Sequence, residues 1–411
     1  MSSPPQTIRW GILATGGIAQ TFTRDLLVDP STRGVHNIKH TVVAASSSSS
    51  TSRAQDFLEE VGAPSDAKAY GSYEEFVKDP NIDIVYVATP HSHHYQNARL
   101  CLEAGKNVLC EKAFTVNAAQ ARKLVDIAKT KNLFLMEAVW TRYFPLSIWV
   151  RETITSGKLG PIARVTADNS MALNPEQNFP DGKHRMVNPD LAGGALLDLG
   201  IYSLTWLFQS LYTTQDPKER QKPVVQAIQK IYTGPNVDGR SSDEHSSIVI
   251  SFPRSKDAGG DAHGIATTSL VVATDPVPGE HSIPSIRIQG PRGEIQVFPP
   301  AFRPTRAKLI ISNGPDGKPV VEDKTFPQPG PGSGSGWTNG FGSDRNAEGE
   351  GHGMFWEADE AARCILSGQQ ESATLSWDES IIIMETMDKV REYGGSRFPE
   401  KIETLDFPVA L

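Results

Sequence analysis

The sequence is poor in cysteine, in positive charge and in long apolar runs. Three of its 411 residues are cysteines, Cys101, Cys110 and Cys364, an odd number without metal-ligand spacing, which argues against a disulfide-rich secreted protein. The net charge is −8, so nucleic acid and anionic membranes are not expected as partners. No apolar run reaches the ~18 residues of a membrane span, and Met1–Gln6 lack signal-peptide features. We expect a reduced, cytoplasmic protein.

The length exceeds the ~250 to 300 residues at which one hydrophobic core usually stops growing, so we expect two domains. Strand and helix signals alternate up to residue 145 and predict an α/β domain with a doubly wound parallel sheet. Strand signals dominate from Ile162 onward and predict, for residues 146–411, an α+β domain with a large, mostly antiparallel sheet. Closing helices within 353–393 are expected to pack against the first domain. Residues 327–352, rich in Gly, Pro and Ser, predict a mobile surface loop.

A strand, a glycine turn and a helix open the chain. The strand is predicted at Ile8–Ala14, and the turn consists of Ala14, Thr15, Gly16, Gly17 and Ile18. Backbone N–H groups at the start of the following helix can bind a pyrophosphate. Of the usual G-x-G-x-x-G pattern, only the middle glycine, which allows close approach to the phosphates, is in place. The segment predicts a dinucleotide site, although a plain tight turn has the same pattern.

Hydroxyl groups follow the second strand, which is predicted at His40–Ala45. A cofactor with a free ribose 2′-hydroxyl is commonly met there by Asp or Glu, whereas a 2′-phosphate requires donors and positive charge. This chain has no carboxylate at that point and instead has a run of serines and an arginine. We therefore predict NADP, bound by Ser47, Ser48, Ser49 and Arg53. A flexible serine linker is the other interpretation.

A third strand, Ile82–Ala88, ends at Thr89, Pro90 and His91, with His93 and His94 close behind. Three neighbouring histidines raise the question of a metal, but no further ligand has a matching spacing, so no metal site is predicted. We expect this segment to contact the cofactor through Thr89, Pro90, His91 and His94. A buried, hydrogen-bonded structural histidine remains an alternative for His94.

Glu111 and Lys112 follow a short apolar strand, so Lys112 is predicted at the carboxyl end of a strand. Ligands bind at that edge of an open α/β sheet. A lysine there can polarise a carbonyl group or lower the pKa of a neighbouring hydroxyl. The alternative is a solvated surface lysine.

An apolar helix is predicted at Leu191–Tyr202, and it includes Asp198 and Tyr202. These two residues are four positions apart and so share one face of the helix. Because the helix is largely buried, its carboxylate and phenol need partners. The two groups either belong to an active site or close the helix onto the sheet by an internal hydrogen bond.

The motifs together resemble one family of oxidoreductases. The resemblance extends over nearly the whole chain and is strongest in GILATGGIA, VATPHSHH, AGKNVLCEKA, EAVWTRYFP, RMVNPDLAGGALLDLGIY and GHGMFWEADEAARC. These segments resemble the glucose–fructose oxidoreductase/inositol dehydrogenase/rhizopine-catabolism (Gfo/Idh/MocA) family. Within it they are most similar to the branch of dimeric dihydrodiol dehydrogenases and fungal NADP-dependent xylose dehydrogenases. The family's usual Glu-Lys-Pro is Glu111-Lys112-Ala113 here.

The resemblance implies a Rossmann domain and a C-terminal domain whose open sheet forms a homodimer, although a solvated sheet face is also compatible with the sequence. It also implies that Lys112 and Tyr202 are the catalytic pair and that His94 lies near the nicotinamide. Removal of a hydroxyl proton during hydride transfer requires a base, and we expect Lys112 to lower the pKa of Tyr202 for that role. Asp198 would orient the lysine or the substrate hydroxyl.

Further ligand-binding residues are predicted around these groups. The cofactor set also contains Glu111, Lys112, Trp140 and Arg142. The substrate set contains Lys112, Trp140, Phe179, His184, Arg185, Asp198 and Tyr202. Trp140 could equally serve in packing between domains.

The sequence predicts NADP-dependent oxidation of D-xylose, or a similar aldopyranose, at the anomeric carbon to give the lactone. The resemblance leaves open oxidation of trans-dihydrodiols of aromatic rings. A regulator that senses NADP without turning it over is the non-enzymatic alternative.

Overall fold

The computed structural model describes residues 4–234, 240–277, 282–314, 316–332 and 348–411. The N-terminal part contains the strands β1 (Gln6–Leu13), β2 (Ile38–Ser46), β3 (Lys68–Tyr70), β4 (Ile84–Val87), β5 (Asn107–Glu111) and β6 (Leu135–Ala138). Its helices are α1 (Gly17–Leu26), α2 (Thr51–Glu60), α3 (Tyr73–Phe76), α4 (His91–Glu103) and α5 (Ala118–Lys131).

The first sheet has six parallel strands in the order β3-β2-β1-β4-β5-β6. Every residue of β4 is buried, as expected for a central parallel strand with helices on both faces. The register places Leu13 beside Ser46 and beside Val87, and Val87 beside Cys110. The carboxyl ends of β1, β2, β4 and β5 therefore lie at one edge of the sheet. The predicted doubly wound sheet is confirmed, while the short edge strand β3 was not predicted.

The C-terminal part contains a second sheet and the closing helices. Its elements are α6 (Pro145–Thr155), β7 (Arg164–Asp168), α7 (Pro175–Asn178), α8 (Ile201–Leu211), β8 (Val224–Ile231), β9 (Asp243–Phe252), β10 (Ala262–Ser269), β11 (Ile286–Gly290), β12 (Gly293–Val297), β13 (Arg306–Ile311), β14 (Val320–Thr325), α9 (Phe355–Leu366), α10 (Trp377–Gly394) and α11 (Glu400–Glu403).

The second sheet has the order β14-β13-β12-β11-β7-β10-β9-β8. Only the β7–β10 pair among these neighbours is parallel, so the predicted mostly antiparallel sheet is confirmed. Helix α8, buried along its whole length, packs against β7 and β10. The opposite side of β8, β9 and β10 exposes four apolar side chains, which we call the open face: Val224, Ile228, Val249 and Ile265.

The structure differs from the predicted helix Leu191–Tyr202, because the segment is divided into three helical pieces and its last helix ends at Leu211. A short 3-10 helix spans Pro189–Leu191, a π-helical turn spans Leu196–Gly200, and α8 follows. Gly194 lies between them with φ 127°, and a Cβ there would lie 2.3 Å from Oδ1 of Asp243. A side chain at position 194 would prevent this close approach. The segment Pro189–Leu211 is long and apolar enough to span a membrane, but 94% of its apolar window is buried inside the protein.

The closing helices pack against both sheets. Helix α9 contacts α1, and α10 contacts α5 on one side and β8 on the other. Asp359 of α9 accepts hydrogen bonds from Arg33 at 2.7 Å and from His40 at 2.9 Å. Trp10 of β1 in turn donates to Nδ1 of His40 at 3.1 Å. Of the predicted loop 327–352, residues 333–347 lie outside the described residues.

Candidate active site

A cavity of about 720 Å³ lies between the carboxyl ends of the first sheet's strands and the start of α8. Its lining comes from both halves of the chain. It consists of Gly16, Gly17, Ile18, Thr21, Ala88, Thr89, Pro90, His91, His94, Glu111, Lys112, Trp140, Met171, Leu173, Phe179, His184, Arg185, Met186, Leu191, Asp198, Leu199, Tyr202, Phe302 and Met354.

The start of α1 has the shape that a dinucleotide pyrophosphate requires. Gly16 is the N-cap of this helix. A Cβ atom added to Gly16 or to Gly17 would have no other atom within 4 Å. Both glycines are exposed, so backbone N–H groups of the first turn can meet a phosphate. Ala14 has φ 83° and donates its N–H to Ser46, which fixes the turn beside β2. Ala14 and Thr15 belong to the turn but do not line the cavity.

The serine run is an ordered junction between β2 and α2. The Oγ atoms of Ser47 and Ser49 lie 2.9 Å apart, and Ser50 caps α2 by accepting the N–H of Arg53 at 3.2 Å. The side chains of Ser48 and Arg53 are exposed. A flexible linker is therefore not what this segment forms. It lies outside the cavity lining but beside the glycine turn, where the ribose of a dinucleotide bound across that turn is expected.

The histidines at the start of α4 are buried and hydrogen-bonded. Nδ1 and Nε2 of His94 lie 2.8 Å from the carbonyl oxygens of Ala113 and Thr89. Nδ1 of His91 lies 3.3 Å from the carbonyl oxygen of Ala192. Burial lowers the pKa of His94 to about 4 and that of His91 to about 3. Within the described ranges no group of His, Cys, Asp or Glu could hold a metal ion.

Lys112 is held by Asp198. Its Nζ donates to the backbone oxygen of Asp198 at 2.9 Å and to Oδ1 at 3.0 Å. Arg185 donates to the same Oδ1 at 3.0 Å. Burial would raise the pKa of Asp198, but the charges of Lys112 and Arg185 overcome it and hold the pKa below its usual value. The two contacts with Lys112 place Asp198 where it can hold the lysine in position, which is one of the two roles predicted for it.

Tyr202 lies beside Lys112 without a hydrogen bond between the two side chains. Its hydroxyl accepts from Nε1 of Trp140 at 2.7 Å, and Lys112 Nζ is 5.2 Å from the centre of its ring. Burial, with the negative charge of Glu111, raises the pKa of Tyr202 well above 10. This is opposite to the predicted direction, because burial dominates the pKa of Tyr202 and the ammonium group of Lys112 is paired with Asp198.

Glu111 connects the end of β5 to the floor of the cavity. Its Oε1 accepts from the hydroxyl of Tyr86, and its Oε2 accepts the backbone N–H of Lys112 at 3.1 Å. Burial raises the pKa of Glu111. These bonds fix the backbone from which Lys112 extends.

The structure does not bring Arg142 to the cavity. Its guanidinium is fully buried and donates to Glu379 at 2.8 Å and to Gln209 at 3.1 Å. The predicted cofactor role is corrected to packing between the first sheet and the closing helices. Trp140, two residues earlier, does line the cavity.

The rim of the cavity combines predicted and unpredicted residues. The rings of Phe179 and His184 stack with centroids 3.9 Å apart. Phe302 stacks on Trp140 at 6.2 Å and lies 5.8 Å from the ring of Tyr202, yet nothing in its sequence context indicated a site. Met354 belongs to the quoted GHGM segment, which was the available signal for it. Apolar residues Met171 and Leu173 were also missed.

Known proteins resemble this chain in sequence and in fold. A family model described as "Oxidoreductase family, NAD-binding Rossmann fold" matches residues 8–139. The chain is 53% identical, over 98% of its length and 96% of the relative's, to D-xylose 1-dehydrogenase (NADP(+)) of Hypocrea jecorina. It is 33% identical to trans-1,2-dihydrobenzene-1,2-diol dehydrogenase of Sus scrofa, over 96% of this chain and 98% of that protein. Aldose-aldose oxidoreductase from Caulobacter crescentus has the same fold, with a TM-score of 0.70 at 21% identity over 95% and 98% of the two chains.

Proposed function

Because the chain belongs to the Gfo/Idh/MocA family of oxidoreductases, we propose that it is an NADP-dependent dehydrogenase of sugars. Its substrate is D-xylose or a similar aldopyranose, which it oxidises at the anomeric carbon to the lactone. The observation that carries this proposal is the 53% identity to a D-xylose 1-dehydrogenase over nearly the whole chain. The cavity supports it, since Lys112, Asp198 and Tyr202 lie on one wall of it.

Lys112 and Tyr202 have different roles in the reaction. Bound NADP supplies the acceptor for the hydride that leaves the carbinol carbon. Lys112, held in place by Asp198, donates a hydrogen bond to the reacting oxygen. The phenolate form of Tyr202 accepts the proton that leaves the same oxygen and thereby becomes the hydroxyl. Because the pKa of Tyr202 is raised, its base form is scarce at neutral pH, and oxidation should accelerate with rising pH.

NADP is preferred over NAD because of the junction after β2. A 2′-phosphate there would meet the hydroxyl groups of Ser48 and Ser49 and the exposed guanidinium of Arg53. Arginine binds phosphate with a planar set of donors and keeps its charge. An acidic side chain at this point would favour a free ribose hydroxyl instead, and the run has none.

A second candidate reaction is oxidation of a trans-dihydrodiol of an aromatic ring. The relative at 33% identity has that activity in its name, and the apolar side chains Met171, Leu173 and Phe179 on the cavity rim suit a flat ring. A regulator that only senses NADP is less well supported, since it would need neither Lys112 nor Tyr202 in the cavity.

The chain is also proposed to divide near residue 145 into a cofactor domain and a domain for substrate binding and assembly. Two copies would pair through the open face of β8, β9 and β10, because four exposed apolar side chains on one sheet surface are costly to leave in water. Cys101, Cys110 and Cys364 are free and buried, which supports a reducing compartment such as the cytoplasm.

The test is an assay of the purified protein with NADP or NAD and a panel of pentoses, hexoses and dihydrodiols. Absorbance of the reduced nicotinamide is followed. The proposal expects the highest kcat/KM with NADP and an aldopentose. Higher kcat/KM with a dihydrodiol would establish the second candidate, and turnover of none would refute the dehydrogenase.

A further inference from the structure

The imidazole of His91 presents a lone pair to the polar end of the cavity. His91 is the first residue of α4, is 8% exposed and lines the cavity. Its Nδ1 lies 3.3 Å from the carbonyl oxygen of Ala192. A carbonyl oxygen can only accept, so the ring hydrogen must be on Nδ1. Nε2 is therefore a hydrogen-bond acceptor.

The surroundings of His91 keep the ring neutral. Burial lowers its pKa to about 3, and the positive charges of Lys112 and Arg185 and the neighbouring His94 act in the same direction. Asp198 opposes them but is already paired with both cations. At neutral pH the Nε2 lone pair is thus available to a donor.

Two acceptors face each other at this end of the cavity. Nε2 of His91 lies 3.9 Å from Oδ1 of Asp198, which is too long for a hydrogen bond. Oδ1 already accepts from Lys112 and from Arg185. A hydroxyl oxygen beside them can donate its hydrogen to Nε2 and accept one from a cation of the Asp198 group, whereas a carbonyl or methylene group cannot do both.

We propose that His91 is a specificity-determining residue that accepts the hydrogen of the substrate hydroxyl on the carbon next to the reacting carbon. The inference rests on the proposed function, in which Lys112 binds the reacting oxygen. Asp198 holds Lys112 and faces His91 with the same oxygen atom, so the two hydrogen-bonding positions are neighbours. Sugars and trans-dihydrodiols share this pair of adjacent hydroxyl groups.

The experiment is a cycle that combines two variants with two substrates. In His91→Asn the amide can still donate to Ala192, but the acceptor at Nε2 is removed. In His91→Gln the longer amide can place an oxygen near the position of Nε2. For the wild type, kcat/KM should be about 10- to 100-fold lower with 2-deoxy-D-xylose than with D-xylose, as for a polar site left without its partner.

His91→Asn should show the same loss with D-xylose and little further loss with the 2-deoxy sugar. His91→Gln should recover part of the activity, and the Kd for NADP and the melting temperature should stay unchanged in both variants. Three results would each overturn the assignment. The losses in kcat/KM from the substitution and from the 2-deoxy sugar could simply multiply, His91 could couple only to the 3- or 4-hydroxyl, or weaker NADP binding could explain the fall in kcat/KM.

Failure of the proposed function has a different signature, since the wild type would then oxidise no sugar. In that case calorimetric binding of trans-cyclohexane-1,2-diol and of cyclohexanol to the NADP-loaded protein decides the role of His91. A preference for the diol that disappears in His91→Asn supports it. Equal binding of the two alcohols, or a preference that survives the substitution, overturns it.

Discussion

The substitution Tyr202→Phe isolates the chemical role of one hydroxyl group. The ring is 5% exposed and packs against Phe302 and the ammonium of Lys112, and phenylalanine preserves those contacts. The variant loses one hydrogen bond, from Trp140 at 2.7 Å, which costs about 1 kcal/mol of stability. The protein should therefore fold and bind NADP as before.

Turnover, in contrast, should fall at least about 100-fold, because a positioned proton acceptor contributes about that much. A 100-fold loss corresponds to about 2.7 kcal/mol in the activation free energy. Stopped-flow absorbance with D-xylose and NADP, from pH 6 to pH 10, measures it. The wild-type rate should rise with pH, since burial raises the pKa of Tyr202, and the variant should lose this dependence.

The matched control is Tyr212→Phe, which removes a phenol just beyond the end of α8 and outside the cavity lining. Its turnover should stay within a factor of two of the wild type. If the turnover of Tyr202→Phe were within tenfold of that of the wild type, Tyr202 would not be the proton acceptor. The roles proposed for Lys112 and Tyr202 would then be refuted.

Four further results are expected. Arg53→Ala should raise the Kd for NADP about 10- to 100-fold and leave the Kd for NAD unchanged. The control Arg164→Ala, at an exposed arginine, should alter neither Kd. Equal effects on both cofactors in a fluorescence titration would contradict the 2′-phosphate site. Asp198→Asn should lower kcat about 100-fold, because Lys112 and Arg185 lose a shared buried anion. A variant with the wild-type kcat would contradict this prediction. Ile228→Asp on the open face, 77% exposed in one chain, should shift a dimer to a monomer in sedimentation velocity, whereas Val321→Asp on β14 should not; a wild-type monomer at micromolar concentration would exclude the interface. Burial lowers the pKa of His91 to about 3 and of His94 to about 4, so below the ordinary histidine pKa of about 6.5 these side chains bind protons in the unfolded chain but not in the folded one. The free energy of unfolding measured in urea should therefore fall by about 2 kcal/mol per histidine from pH 7 to pH 5. The fall should be smaller by that amount in His94→Gln, and an unchanged urea midpoint between the two pH values would contradict the prediction.

The sequence predicted those site features that depend on local pattern. Lys112 follows a short apolar strand, and the rule for parallel sheets places such a residue at the ligand-binding edge. Asp198 and Tyr202 were expected on one face because four positions make nearly one helical turn, and both line the cavity. The strands of both sheets were found from their apolar runs, apart from β3, whose three partly exposed residues carry too little pattern, and β14, which is mostly exposed.

Features that depend on distant partners could not be predicted in this way. Arg142 was assigned to the cofactor because it follows a strand, but its partner Glu379 is 237 residues further along the chain. The raised pKa of Tyr202 depends on burial and on Glu111, neither of which the local sequence shows. Phe302 reaches the cavity from the loop between β12 and β13, and its sequence neighbours have no functional pattern.

The buried contacts of Asp359 with Arg33 and His40 have a consequence for synthesis of the protein. Arg33 and His40, both with side chains inaccessible to water, depend on a carboxylate from α9. A ribosome completes the entire cofactor-binding domain long before that carboxylate leaves the exit tunnel. Until then the guanidinium of Arg33 has no anion in its buried position, and the nascent cofactor-binding domain cannot reach its final packing. A gene shortened anywhere before residue 359 should accordingly yield protein that aggregates instead of an independent NADP-binding fragment.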